Sequence, residues 1–379
     1  MQKKIEVLGS LGIFEVSDYI YQKENYNSFI YPSVYKNKIV KLFKILLSNN
    51  CKFNCLYCAN RKDRDCPRYS FSPEELSKIF YNMWSKNIVD GLFLSSGIDK
   101  DVNETEEKMI EVAKILRKKY GYYGYIHLKI LPGVDEFLIK KASLYSDRLS
   151  LNMETISPEK IKKISNEKDF FKNLLNTLKK LSQINLERPL KNGISTQIIV
   201  GSIDEIDRDI LNFAFYLYKN YKISRMYYSG FIPVKNTPFE NKEPCSLKRQ
   251  VRLYQADILI RRYNFLPSEI PFDSKGNLFL NKDPKLIWAE KNPDFFPVEI
   301  NKADFYNLIR VPGIGIKSAK KIIEIRKENK INSPEILKKI GVRLKKAIPY
   351  ILINGKKIKK DEFIKEKEKI YPEIFDEVI

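Results

Sequence analysis

The sequence predicts an α/β protein: six β/α units forming a parallel sheet curved into a partial barrel, followed by a small all-α domain. Three observations carry this. From residue 41 to 240, short apolar or alternating runs take turns with amphipathic helical runs, the order that builds a parallel sheet with helices packed on it. Near residue 298 the alternation stops and a helix–turn–helix pattern begins, twice over. The 379 residues, 43% hydrophobic and 12% aromatic, suffice for two or three domains with a sizeable core.

Residues 1–40 read as an N-terminal extension. Its start, MQKKIEVLGSLGIFEVSD, is basic, but the apolar stretch is short and broken by Glu6 and Glu15, a poor signal peptide. No run of about 18 apolar residues occurs, so no transmembrane helix and no membrane partner are expected. A cytoplasmic protein with reduced thiols follows. The partial barrel takes residues 41–240. Its strands are KLFKILLSNN (41–50), GLFLSSG (91–97), YIHLKIL (125–131), DRLSLNMET (147–155), STQIIVG (195–201) and RMYYSGFIP (225–233). Helices fall between them at 72–84, 104–119, 135–143, 168–184 and 207–220. A helical connector packed on the barrel, 241–297, opens with a long amphipathic helix over 244–265. Its Leu253, Ala256 and Ile260 face a core. Arg249, Arg252, Arg261 and Arg262 point elsewhere, to solvent or along a nucleic-acid path. The all-α domain is 298–355, and a charged tail occupies 356–379.

Successive strand residues face opposite ways. Leu149, Leu151 and Met153 should therefore meet the helices, leaving Ser150, Asn152 and Glu154 toward the barrel cavity. By the same rule Ile126, Leu128 and Ile130 oppose Tyr125, His127 and Lys129. His127 and Lys129 are thus candidates for the cavity, although a lone histidine there also fits a hydrogen-bonded structural role. Sites in such sheets lie at the C-terminal ends of the strands.

CKFNCLYC (51–58) directly follows the first strand, on that side. Cys51, Cys55 and Cys58 have C-x3-C-x2-C spacing, and the single histidine of the chain is remote in sequence. An odd trio in a reducing compartment makes a poor disulfide framework. Structural zinc takes four ligands. Cys66 and Cys245 could be recruited, but neither belongs to a second C-x2-C pair. Three thiolates on one loop suit a [4Fe–4S] cluster with one iron left without a protein ligand, an open position where chemistry happens.

In the second domain, NKADFYNLIRVPGIGIKSAKKIIEIRKEN (301–329) runs helix, Pro-Gly-Ile-Gly turn, helix. Asn301 can cap the first helix. Gly313 and Gly315 allow a tight hairpin that exposes backbone N–H groups at a helix N-terminus, an anion site. Lys317, Lys320 and Lys321 follow and can reach phosphates. A degenerate copy, 333–351, has Gly341 in its hairpin. Residues 298–354 hold 13 Lys or Arg against 5 Asp or Glu, a net of +8 in a chain whose total is +21. That concentration of charge supports nucleic acid as the partner, and the same tandem hairpins could otherwise serve as a packing module. The pattern resembles the helix-hairpin-helix motif.

The cysteine loop and the strands after it resemble the radical S-adenosylmethionine (radical SAM) superfamily. The resemblance implies a partial (β/α)6 radical SAM barrel, with a [4Fe–4S] cluster on Cys51, Cys55 and Cys58. It implies S-adenosylmethionine on the open iron, a 5′-deoxyadenosyl radical that removes a substrate hydrogen, and an electron donor such as flavodoxin or ferredoxin. It further implies that Tyr57 sits beside the adenine and that Ser95 and Ser96 stand where the family usually has Gly-Gly-Glu. Asn152 and Glu154 would contact the cofactor, and Gly201 would let the fifth strand approach the adenine. Across residues 30 to 355, stretches such as CANR, LFLSSG, DPKLIWA and FPVEINKADFYNLIRVPGIG resemble the radical SAM family named for DNA modification or repair. DNA is therefore the expected partner before RNA. Cys66, in RDCPRY, has no role implied by the family.

Overall fold

Among the described residues, five of the α-helices begin at a side chain that accepts a backbone N–H of their first turn: Ser72, Asp101, Ser157, Asp283 and Asp304. The computed structural model describes residues 1–14, 29–35 and 38–358. Two compact units share the chain: one holds Met1–Glu205 and Phe213–Gln250, the other Ile206–Asn212 and the chain from Val251 onward.

In the first unit, α1 (Gln2–Ser10) and a 3-10 turn (Leu11–Phe14) precede a seven-stranded sheet. β1 (Ile30–Tyr35) is an antiparallel edge strand on β2 (Lys38–Leu46). β3 (Gly91–Ser95), β4 (Tyr125–Lys129), β5 (Arg148–Glu154), β6 (Ile194–Val200) and β7 (Arg225–Gly230) then follow in spatial order, all parallel. The sheet curls into a half-barrel, as the six predicted β/α units require. The helices are α2 (Pro73–Ser85), α3 (Val102–Lys118), α4 (Glu136–Ser143), α5 (Pro158–Lys162), α6 (Asn176–Glu187) and α7 (Asp207–Tyr221). Ser72, Asp101 and Ser157 accept backbone N–H bonds at the starts of α2, α3 and α5, with Pro73 and Pro158 opening two of those helices. Such caps satisfy donors that the first helical turn leaves bare.

Strand alternation sorts the side chains as predicted within the strands; Ile130, expected opposite the cavity, follows the end of β4 and lines the cavity instead. Leu92, Leu94, Ile126, Leu128, Leu149, Leu151, Met153, Ile194 and Ile198 are fully buried. Phe43 on β2 lies 6.4 Å from Phe80 of α2, placing this set against the helices. The opposite set is polar. His127 Nε2 lies 2.7 Å from Ser150 Oγ, joining β4 to β5 across the barrel interior.

The sequence reading differs from the structure in three further places here. The N-terminal extension contributes α1 and an edge strand, and residues 15–28 and 36–37 lie outside the described residues. The helix expected at 168–184 begins with a π turn, Phe170–Leu175, before α6 takes over. The first parallel strand ends at Leu46, and Ser48–Asn50 form a neck to the cysteine loop instead.

α8 (Leu247–Arg262) leads into the second unit. It buries Leu253, Ala256 and Ile260. Its arginines bond internally rather than pointing free: Arg249 donates to the Glu205 carbonyl, Arg252 to Gln255 and the Leu280 carbonyl, and Arg261 to Asp257. α9 (Pro284–Lys291) is capped by Asp283. Four short helices follow: α10 (Phe305–Arg310), α11 (Ile316–Glu328), α12 (Pro334–Lys339) and α13 (Leu344–Ala347). A small sheet unseen in the sequence joins β8 (Val298–Glu299), β9 (Ile351–Ile353) and β10 (Lys356–Lys357). The first two residues of the expected tail therefore pair as β10, and the tail from 359 on lies outside the described residues.

Candidate active site

The cysteine loop is tied down at both ends and along its length. At its neck Asn49 N donates to the Tyr69 carbonyl and Phe71 N to the Leu47 carbonyl. Within it, Lys52 N reaches the Ile98 carbonyl, Leu56 N the Ile164 carbonyl and Lys62 N the Phe53 carbonyl. Gly97, after β3, packs so closely on the loop that a Cβ there would lie 2.3 Å from the Asn50 oxygen. Only glycine fits that contact.

Cys51, Cys55 and Cys58 line one cavity at the C-terminal ends of the strands, with about 1100 Å³ of empty space including its open mouth. Tyr57, Ser95, Ser96, Lys129, Asn152 and Glu154 share its wall. These residues come from the cysteine loop and from β3, β4 and β5, so the fold gathers six of the sequence-named side chains with the three thiols. The other two are placed differently. His127 is buried deeper in the barrel on Ser150, 4.4 Å from the Phe93 ring, and is absent from the cavity lining. Burial, with Arg148, Lys129 and Lys44 adding to it, holds its pKa well below the usual imidazole value, so the ring is neutral. Gly201 has φ +85° and lies against Cys245, also outside the lining.

Sequence reasoning missed Lys168, Gln197 and Ser229, which also line the cavity. Gln197 and Ser229 sit at period-two positions of β6 and β7 and were open to the rule used on β5. Lys168 sits just before a π turn and carries no sequence signal.

Lys168 Nζ bonds Glu154 Oε1 at 2.8 Å, both side chains at most 10% exposed. Burial would lower the lysine, but the Cys55 sulfur and Glu154 outweigh it and hold the ammonium charged. Burial pushes the Cys55 and Cys58 thiols up; Lys168 opposes this, as do Ser165 Oγ, 3.4 Å from Cys55 Sγ, and Asn60 N, which donates to Cys58 Sγ at 3.4 Å. Burial and then the adjacent Glu154 raise the Tyr57 phenol well above its usual value. Glu154 itself has φ +62°, at a bulge where β5 slips against β6. An acidic residue held in that conformation is a local strain of the kind functional sites carry.

The donor set fits an iron–sulfur cluster. The three thiols influence one another electrostatically in a shared cavity. Among the described residues no three Cys, His, Asp or Glu side chains converge on one point, as a mononuclear ion requires. In a cluster each thiolate takes a different iron, so convergence is not needed. Cys66 and Cys245 are half-buried and outside the cavity lining.

In the second unit, Gly313 has φ +83° and a Cβ on it would lie 2.5 Å from the Arg343 carbonyl. The Gly313 carbonyl accepts from Arg343 N at 2.9 Å, clasping the first hairpin to the second, whose Gly341 has φ +91°. Buried Lys285 donates to the Ile314 carbonyl at 2.7 Å. Gly315 is the N-cap of α11 with extended backbone, φ −93°, and no side chain caps the helix. Lys317, Lys320 and Lys321 are exposed on α11. Asn301 does not cap α10: Asp304 does, three residues later, by accepting from Asn307 N at 2.7 Å. Asn301 instead donates to the Ile331 carbonyl and accepts from Ile331 N.

Comparison with known proteins agrees with both halves. Residues 45–217 match the radical SAM superfamily and residues 295–345 the helix-hairpin-helix motif. The chain is 28% identical over 203 residues to the [FeFe] hydrogenase maturase subunit HydE of Thermotoga maritima, covering 52% of this chain and 53% of that one. It is 26% identical over 227 residues to an uncharacterised protein of Methanocaldococcus jannaschii, covering 58% and 56%. The chain thus spans about half the length of the curated relatives it matches. Among solved structures, methylornithine synthase (PylB) aligns at 19% identity with a TM-score of 0.49, over 58% of this chain and 61% of that one. Members of the superfamily bind a [4Fe–4S] cluster and S-adenosylmethionine. Residues 45–217 thus carry the likeness to the radical SAM superfamily and, C-terminal to them, residues 295–345 that to the helix-hairpin-helix motif.

Proposed function

We propose that this protein is a radical SAM enzyme that modifies or repairs nucleic acid, DNA in preference to RNA. The observation that carries the reading is the union in one chain of a three-cysteine cavity and a basic pair of helical hairpins. Cys51, Cys55 and Cys58 would hold the cluster, leaving one iron for S-adenosylmethionine. Held by these residues, the cluster and S-adenosylmethionine would supply 5′-deoxyadenosyl radical chemistry, with an electron from a donor such as flavodoxin or ferredoxin. The protein's part is positioning and exclusion of water. Asn152 and Glu154 present polar oxygens to the cavity, Ser95 ends β3 and Ser96 follows it on the cavity wall, and Tyr57 offers a ring beside the thiols. Gly201, directly after β6, is the candidate for close approach to adenine. Lys129, which donates to Asn152 Oδ1, would supply an amine on the cavity wall, and His127, bonded to Ser150, has a structural part deeper in the barrel.

The hairpin amides near Gly313 and Gly315, with Lys317, Lys320 and Lys321, would grip phosphates without reading sequence. A target base must leave the stack to reach a cavity of this kind. Competition between duplex DNA and transfer RNA, repeated across a salt series, tests the partner. The reading expects duplex DNA to win, with affinity falling as salt rises. Preference for transfer RNA would move the substrate to RNA, and failure of both to bind at low salt would remove the nucleic-acid reading altogether.

A further inference from the structure

Arg68 lies ten residues beyond Cys58, outside any motif. Its guanidinium collects five backbone carbonyls. Nη1 donates to Asn49 at 2.6 Å and Asn60 at 2.9 Å. Nη2 donates to Arg61 at 2.5 Å and Arg64 at 2.9 Å, with Lys62 at 3.4 Å. The carbonyls come from both sides of the cysteine run, since Asn49 stands two residues before Cys51 and Asn60 two after Cys58. Five carbonyl oxygens turned toward one point repel one another unless a cation sits there. Hydrogen bonds to a charged donor are about twice as strong as neutral ones.

The neck is closed reciprocally. Asn49 is 1% exposed; its Nδ2 donates to the Pro67 carbonyl at 2.9 Å and its Oδ1 accepts from Tyr69 N at 2.7 Å. Ser48 bridges Ser70 just outside. Arg68 is therefore gripped by the chain on either side of it while it holds the loop's interior. Asn60 connects this hub to the thiols, because its N–H donates to Cys58 Sγ while its carbonyl is held by Arg68. A lysine in the same place offers three donors on one atom and lacks the planar fork that reaches carbonyls on two sides.

We propose that Arg68 is the positioning residue that folds the cysteine loop before iron arrives. It does not line the cavity; it sets the backbone that presents Cys51, Cys55 and Cys58. The proposal rests on the reading that these cysteines hold an iron–sulfur cluster. Loss of Arg68 should then cost the cluster far more than it costs the barrel, whose core lies elsewhere.

The test uses the full chain as wild type, Arg68→Gln and Arg68→Lys. Each metal-free protein is melted and digested briefly with trypsin, which can cut at Lys52, Arg61, Lys62 and Arg64. Each is then reconstituted anaerobically with iron and sulfide and exposed to a chelator. The expected result for Arg68→Gln is a melting temperature close to wild type and early cleavage inside residues 52–64. The chelator should strip its cluster about 10-fold faster or more, the usual effect of removing a group that orients metal ligands. Arg68→Lys should fall between the two, and it carries the test if Arg68→Gln does not fold. Unchanged loop protection, iron content and electron paramagnetic resonance signal in the variants would overturn the proposal while leaving the cluster reading intact. A wild-type chain that takes up no cluster would overturn both.

Discussion

Glu106 shows how much one buried atom can decide. It lies on α3, fully buried, with Oε2 accepting from Leu131 N at 2.9 Å beneath the cavity wall and Oε1 without a hydrogen-bond partner among the described residues. Burial pushes its pKa up to about 8. The folded protein therefore holds this proton more tightly than the unfolded chain does. Stability from this group is complete below the ordinary glutamate range and declines as pH rises toward about 8. Glu106→Gln should flatten that decline and raise the melting temperature at pH 8, an effect on the order of a few kcal/mol, read from thermal unfolding at several pH values. The cysteines give a sharper residue-scale prediction. Replacing any one of Cys51, Cys55 or Cys58 by Ser should abolish bound iron and sulfide after reconstitution, whereas Cys66→Ser and Cys245→Ser should leave them near wild type, measured by iron assay and visible absorbance. At this scale the sequence revealed the thiols because their spacing is itself the signal. Lys168 was invisible because its place beside Glu154 and Cys55 is created by a loop and a π turn. Arg68 was equally hidden, since its partners are backbone carbonyls, which have no sequence signature.

The strands were the most legible elements. The polar alternation in β5 correctly separated Asn152 and Glu154 from Leu151 and Met153, because one face must meet helices and the other a wet cavity. Edges and short pieces were not legible. β1 is an antiparallel edge strand, and the sheet of β8, β9 and β10 is built from two- and three-residue strands. The pieces of that small sheet are too short for periodicity to speak and are fixed by tertiary contacts, whereas the six-residue β1, with Pro32 inside it, carries a break that hides an edge strand. The first hairpin was legible through its glycines, yet only Gly313 uses the left-handed region, while Gly315 serves as an N-cap. Gly313→Val should therefore be the damaging change. Its side chain would meet the Arg343 carbonyl and its backbone would be strained by about 1–3 kcal/mol. Duplex affinity should fall at least 10-fold and the unfolding temperature should drop, whereas Gly315→Ser should retain the fold. Equal behaviour of the two variants in binding and melting assays would contradict this account of the hairpin.

Across the whole molecule, charge and chemistry divide between two regions of the chain. The span 298–354 carries +8 of the total +21, and the thiol cavity belongs to the first unit. If exposed Lys320 contacts a phosphate, Lys320→Gln should weaken binding to duplexes of every sequence alike and flatten the slope of log affinity against log salt by about 1. Discrimination among sequences would place Lys320 elsewhere. The most direct measurement of the central claim is release of 5′-deoxyadenosine by the anaerobically reconstituted, reduced full-length protein given S-adenosylmethionine, with and without duplex DNA, followed by mass spectrometry. The account predicts release that requires all three cysteines of the loop and rises when DNA is added. A protein that assembles a reducible cluster yet releases no 5′-deoxyadenosine with any nucleic acid would contradict it.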